Sequence, residues 1–184
     1  MKIFISILKW IGIVIVSLLV ISFVLPSSYH VERSRVIKAD VPVVFNLVND
    51  LHQWKTWSPW YHLDTTAKME YYGTGIGKGA GYSWDSKNKN VGKGKLTVTE
   101  VKDNEFITSD LTFDGMSTSK VKYSFVKEGD GTKITWAMDQ DVSTIPVAMH
   151  PMSKYFFLFM DKMIGPDFEQ GLKNMDSVVI KNTN

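Results

Sequence analysis

The chain begins with an unbroken apolar stretch and then changes texture. From Ile3 to Leu25 the one strongly polar residue is Lys9; the rest is Ile, Val, Leu, Phe, Ser, a single Gly and a single Trp. As a helix, this run reaches roughly 35 Å at ~1.5 Å per residue, enough to cross a hydrocarbon core of ~30 Å with some tilt. Lys9 sits near one end, where it can snorkel toward the headgroups beside the interfacial Trp10. A segment that is apolar all round has no polar face to offer water, which excludes an ordinary surface helix. The pattern predicts a transmembrane anchor over residues 1–26 and a water-soluble domain over 27–184. A cleaved signal peptide is the competing reading. Its apolar region is usually about 7–15 residues and ends in small side chains, whereas Phe23-Val24-Leu25-Pro26 is bulky and small residues come only at Ser27-Ser28.

Beyond Pro26 the alternation becomes that of a compact domain. Tyr29 to Ile37 alternates as a first strand. Asp40 followed by Val41-Pro42 predicts an N-cap and a helix over Pro42–Asn49, with Val44, Phe45, Leu47 and Val48 apolar. Trp54, Trp57 and Trp60 recur at spacing three on one side of a helical turn that Pro59 ends. From Ala67 onward, short β-branched and aromatic runs alternate with Gly, Asn and Asp clusters. These predict strands over Ala67–Tyr72, Ala80–Trp84, Gly92–Lys102, Glu105–Phe113, Ser117–Glu128 and Thr132–Asp141, joined by connections short enough for antiparallel hairpins. A bulky run, Tyr155–Met160, precedes Gly165-Pro166, which is expected to restart a helix. Phe168, Leu172, Met175 and Val179 then form one stripe at i, i+4, i+7 and i+11. Gly171 inside that helix suggests a close approach to a sheet or a ligand. A run of strands followed by a helix implies an α+β domain, with helices covering one face of a curved antiparallel sheet of about seven strands.

Charge narrows the partners. Of the 21 basic residues, Lys2 and Lys9 belong to the anchor, and the remaining 19 balance the 19 acids. A neutral domain lacks the basic patch that nucleic acid requires. With no cysteine there is no disulfide, thiol nucleophile or Cys-based metal site. His30, His52, His62 and His150 are scattered without zinc spacing, so no metal is expected. The glycines of Gly73–Gly81 fit a dinucleotide fingerprint only loosely. That motif needs a helix after it, and the residues that follow read as strand and turn, so no nucleotide or other cofactor is expected. Basic residues nearly balance across the anchor; its two-residue head favours a single-pass cell-membrane protein whose domain is extracytoplasmic.

The element order, with Asp40-Val41-Pro42, Val44-Phe45 and Asn49-Asp50 followed by Trp54, Trp57 and Pro59-Trp60, resembles the START-like, or SRPBCC, helix-grip superfamily. Its polyketide cyclase/dehydrase and lipid-transport branch is the most similar. Tyr82-Ser83-Trp84, the strand around Thr135-Trp136 and the helix from Gly165-Pro166-Asp167-Phe168 to Leu172 carry the same resemblance, which covers about Tyr29 to Lys181. It implies a cavity between the curved sheet and the C-terminal helix that takes a hydrophobic small molecule or lipid. The expected ligand contacts are Trp57, Trp60, Trp84, Phe113, Tyr123, Trp136, Phe168 and Leu172, together with Glu100 and Gln140. The last two share strand parity with apolar neighbours, yet both lie near strand ends, where the rim is an alternative to the interior. Core filling is the alternative for the aromatics. For Tyr155–Met160 the choice is between a membrane-touching or lid patch and a buried helix face.

Three functions fit: a membrane-tethered binding module, a cyclase- or dehydratase-type enzyme, and an interaction domain with a filled core. A cavity below roughly 300 Å³ has no room for a drug-sized ligand. Convergent ionisable groups deep inside would favour the enzyme, and the expectation leans away from catalysis.

Overall fold

The structure, a computed structural model, describes residues 2–183. Helix α1 (Lys2–Ser22) exposes every side chain from Ile3 to Ile21. Strand β1 (Ser28–Ile37) follows, then α2 (Val41–Asn49) and two short helices, α3 (Trp54–Trp57) and α4 (Pro59–Leu63). Pro59 both ends the tryptophan turn and opens α4, where a missing backbone N–H costs nothing. Asp40 precedes α2 with an extended backbone, but its side chain does not cap the helix. It accepts instead from Lys127 Nζ at 2.8 Å, so the predicted N-cap bond is replaced by an ion pair.

Six strands then run as successive hairpins: β2 (Lys68–Tyr72), β3 (Gly81–Asp85), β4 (Lys93–Lys102), β5 (Phe106–Phe113), β6 (Thr118–Glu128) and β7 (Gly131–Asp141). Among the described residues they and β1 form one antiparallel seven-stranded sheet in the order β1-β7-β6-β5-β4-β3-β2. Period-two alternation sets its faces. Val121, Tyr123 and Phe125 of β6 and Ile134, Trp136 and Met138 of β7 are buried, while Lys120, Lys122 and Lys133 face out. The glycine run connects β2 to β3 as a turn, with Gly73, Gly75, Gly77 and Gly79 all at positive φ. No helix follows it, so the geometry of a nucleotide-binding loop is not formed.

Helices α5 (His150–Phe157) and α6 (Met160–Thr183) close the chain. The predicted stripe, Phe168, Leu172, Met175 and Val179, is buried against the sheet. Each such side chain contributes about 1.5–3 kcal/mol, which outweighs the ~1 kcal/mol helix cost of Gly171. Gly171 is there because the sheet is close: a Cβ would stand 2.8 Å from Trp136 Cζ3 and 3.2 Å from Pro59 Cδ.

The helix does not restart at Gly165-Pro166; it begins at Met160 and runs through Pro166. Arg33 of β1 bridges the proline. Its Nε donates to Glu169 Oε1 at 2.6 Å, and Nη1 and Nη2 donate to Asp161 Oδ1 and Oδ2 at 2.7 and 3.1 Å. The guanidinium lies against Gly165, where any Cβ would collide with it. Hydrogen bonds from Arg33 hold the Asp161 carboxyl below the usual carboxylate range. One side chain therefore ties together the turns on either side of the interruption.

Candidate functional site

An apolar slot lies between the inner face of the sheet and the helices α3, α4 and α6. Its floor is Leu96, Leu111, Val121 and Met138; aromatic walls come from Trp54, Trp60, Tyr82, Trp84, Phe113, Tyr123, Trp136 and Phe168. Tyr61, Asp64 and Thr65, just after or within α4, stand at its mouth with Met69, and buried Val91 lines it further in. The slot is narrow: a water-sized sphere can centre itself in only about 70 Å³ of it. Interlocked rings account for the narrowness. Trp136 stacks on Phe168 with centroids 4.1 Å apart and lies 5.1 Å from Tyr123, and Trp60 meets Trp136 edge-on at 5.6 Å.

Some polar atoms in this wall are satisfied. Trp54 Nε1 donates to Val48 O at 2.9 Å and Trp84 Nε1 to Val91 O at 3.1 Å. Two are not: Tyr123 OH and Trp136 Nε1 are buried and have no hydrogen-bond partner. Leaving such a group unpaired costs about 1–3 kcal/mol. Burial pushes the Tyr123 hydroxyl far above its ordinary range, with the nearby Tyr82 hydroxyl adding to the shift, and burial raises Tyr82 likewise. Both phenols therefore stay neutral and can donate a proton in a hydrogen bond. Neither can serve as a base near neutral pH.

Two carboxylates flank the slot. Asp64 at the mouth is held low by hydrogen bonds, first from Ser86 Oγ at 2.5 Å and then from Thr66. Asp167 of α6 accepts from Trp60 Nε1 at 3.1 Å, and partial burial raises its pKa. A raised folded-state pKa favours the protonated form in the fold. Its stabilising contribution is complete below the ordinary aspartate range and is lost as pH rises through the raised value. Asp167→Asn keeps an acceptor for Trp60 and removes the charge. Thermal unfolding across pH 3–8, a window chosen around the ordinary aspartate pKa of ~3.9, should show the variant gaining on the parent toward neutral pH. An unchanged difference across that range would refute the assignment.

A curved sheet gripping a long C-terminal helix around an aromatic slot agrees with the sequence comparison. The profile of the polyketide cyclase/dehydrase and lipid-transport family matches residues 28–179. The chain belongs to that family. None of the curated proteins matches it. Among solved structures, it is similar to norcoclaurine synthase from Thalictrum flavum, in complex with dopamine and hydroxybenzaldehyde. That pair is 13 % identical with TM-score 0.60, covering 84 % of this chain and 87 % of the synthase. A protein from Thermus thermophilus is 18 % identical with TM-score 0.57, covering 84 % and 99 % of the two chains. A Staphylococcus aureus protein of unknown function is 13 % identical with TM-score 0.58, covering 83 % and 96 %. At these identities the likeness is one of fold.

In this member of the polyketide cyclase/dehydrase and lipid-transport family, Trp60, Trp84, Phe113, Tyr123, Trp136 and Phe168 come together around the slot. Trp57 and Leu172 are fully buried behind it; Trp57 Nε1 donates to Leu47 O at 2.8 Å. Glu100 is exposed, not inside. A β-bulge between Val98 and Glu100 inserts Thr99 and reverses the alternation, so Glu100 pairs with outward-facing Thr108 while Val101 pairs with buried Ile107. Gln140 is at the end of the sheet, where its Oε1 accepts from Ser119 Oγ at 3.1 Å and its Nε2 donates to Ser117 Oγ. Ser119 also bonds the Tyr29 hydroxyl, which burial pushes up to about 12. The expected contacts omit Trp54, Tyr82 and the aliphatic floor. Parity was the available signal, since Met138 shares a face with Trp136, and Val121 with Tyr123. Among the described residues, no group of three or more His, Asp or Glu is placed to hold a metal ion.

Proposed function

We propose that this family member is a membrane-tethered binding module for a small hydrophobic or lipid-like molecule that carries a hydrogen-bond acceptor. The anchor is residues 1–26, the binding domain is 27–184, and the domain lies on the extracytoplasmic side. The observation that carries the reading is the pair of unpartnered donors, Tyr123 OH and Trp136 Nε1, in an otherwise apolar aromatic slot. A carbonyl or ether oxygen entering the slot would satisfy a donor that the packing leaves without a protein partner. Flat rings on three sides suit an aryl group or a single acyl chain. Binding is favoured over cyclase or dehydratase chemistry because the ionisable groups deep in the slot are neutral tyrosines, which can orient a carbonyl but cannot abstract a proton.

Matched probes test this. Acetophenone and ethylbenzene have similar shape and differ in the carbonyl. By titration of tryptophan fluorescence on the full chain in detergent, acetophenone should bind roughly tenfold more tightly, the worth of one buried hydrogen bond of about 1.4 kcal/mol. Tyr123→Phe should reduce that preference without lowering thermal stability, because it removes an unpaired buried hydroxyl. Equal affinity of the parent for both probes would sink the acceptor reading.

At about 70 Å³ the slot is below the roughly 300 Å³ that a drug-sized ligand needs, so a ligand enters only if the rings part. This narrowness supports a second reading, an interaction domain with a filled core. Failure of both probes to bind would favour it.

A further inference from the structure

Between Val147 and Met163 the described residues expose seven large apolar side chains, each by more than half; Val147, Met152, Phe156 and Phe159 are the most open. Single exposed apolar residues are ordinary, but a contiguous patch marks a surface that meets something apolar. Met152, Phe156, Phe159 and Met163 follow at i, i+4, i+7 and i+11. They form one stripe along α5 and the first turn of α6, interrupted only by the turn at Leu158-Phe159. Phe157 points the other way, is buried, and packs edge-on against Tyr29 of β1 with centroids 5.1 Å apart. The patch is therefore the outer face of an element whose inner face is already occupied.

Its position relative to α1 identifies what covers it. Tyr155 OH donates to the Leu18 carbonyl at 2.7 Å, and α5 packs along α1. Leu18 is four residues inside the end of α1 at Ser22, a depth of about 6 Å along a helix. An interfacial amphipathic helix buries its apolar face by roughly 5–10 Å, so contact with Leu18 puts α5 at that level. No acidic residue occurs from Val142 to Met160, and the titratable side chains there other than Tyr155 are His150 and Lys154. The one acid within the stripe's span, Asp161 in the first turn of α6, is paired with Arg33 and followed by Lys162.

The geometry points to a second membrane contact, which rests on the anchor reading above. Helix α5 and the first turn of α6 lie in the headgroup–acyl boundary of the bilayer that α1 crosses, with Met152, Phe156, Phe159 and Met163 turned into lipid. The strand register adds a consequence for the slot. Tyr29 pairs with Gln140, and the same row continues through Ser119, Leu111, Leu96 and Tyr82. Phe113, Trp84 and Met69 are two residues further along their strands toward the end from which β1 departs. The outer part of the slot is thus at the sheet end next to the bilayer, and a ligand dissolved in lipid meets it there.

Because the chain has no cysteine, single cysteines can be labelled cleanly. Met152→Cys and Phe159→Cys, both at exposed sites, would carry an environment-sensitive nitrobenzoxadiazole label in the full chain. The protein would be reconstituted in phosphatidylcholine vesicles containing phosphatidylglycerol and lipid with a nitroxide high on its acyl chain. Leu18→Cys serves as the reference within the span. Asp130→Cys, in the hairpin at the opposite end of the sheet and about 30 Å away by the length of β1, serves as the reference in water. Quenching of the Met152 and Phe159 labels should be several-fold above that at Asp130 and comparable to that at Leu18. If Leu18 is quenched while Met152 and Phe159 match Asp130, the second contact is overturned and the anchor stands. If Leu18 is not quenched, the anchor reading falls and this surface falls with it.

Discussion

Trp136→Ala is expected to cost about 3–5 kcal/mol, the range for truncating a buried large aromatic to alanine. Trp136 is 1 % exposed at the centre of β7. It stacks on Phe168 at 4.1 Å, lies 5.1 Å from Tyr123, and meets Trp57 and Trp60 edge-on at 5.7 and 5.6 Å. Gly171 exists to let α6 reach it. Removing the ring leaves Phe168 and Tyr123 without their shared neighbour and opens a void that interlocked side chains cannot collapse into. For a domain whose whole stability is about 5–15 kcal/mol, that is a large share. At ~2–4 °C per kcal/mol for a chain this size, thermal unfolding should move down by roughly 6–20 °C. Near-ultraviolet circular dichroism of the full chain in detergent measures it, with Val126→Ala, at an exposed site, as comparison. A shift no larger than that of Val126→Ala would mean that the aromatic cluster does not hold the fold.

A double substitution in α1, Ile13→Asp with Val16→Asp, should release the protein from membranes. Near the middle of a span, each exchange of an aliphatic for aspartate costs about 3 kcal/mol of insertion free energy, so the pair costs about 6 kcal/mol. The parent should stay in the membrane pellet after alkaline carbonate extraction, and the variant should appear in the supernatant. Mass spectrometry of the parent's N-terminus decides the competing reading at the same time. An intact Met1 or Lys2 supports the anchor, and a new terminus near Ser27-Ser28 would establish a cleaved signal peptide instead.

The strands were legible because a half-buried sheet writes its faces into the chain as strict alternation. In β6, buried Val121, Tyr123 and Phe125 are separated by Lys122 and Ser124. The α6 stripe was legible for the same reason at period 3.6. What alternation does not carry is an event that changes its own phase. The Thr99 bulge leaves no signature in a run of Thr, Val and Glu, so parity alone puts Glu100 on the inner face and only its place near a strand end points to the rim. Proline likewise reads as a boundary when only neighbours in sequence are considered. The reason α6 survives it, Arg33, is more than a hundred residues away. Asp40 shows the same effect at smaller scale, since its partner Lys127 belongs to a strand 87 positions later. The aromatic set around the slot was visible as a set. Which of its donors would remain unpaired depended on where Val48, Leu47 and Val91 carbonyls fell in space, and that is a property of packing alone.

The Arg33 bridge across Pro166 has a mechanical consequence. A proline in mid-helix ordinarily introduces a joint at which the two halves bend independently. Here Asp161 before the joint and Glu169 after it are pinned to one guanidinium on β1, so α6 acts as a stiff rod. The first turn of α6 continues from α5 beside α1, and Phe168, two residues past the proline, is stacked on Trp136. The apolar surface around Met163 and the Phe168 wall of the slot are thus five residues apart on one helix, on either side of the proline that Arg33 spans.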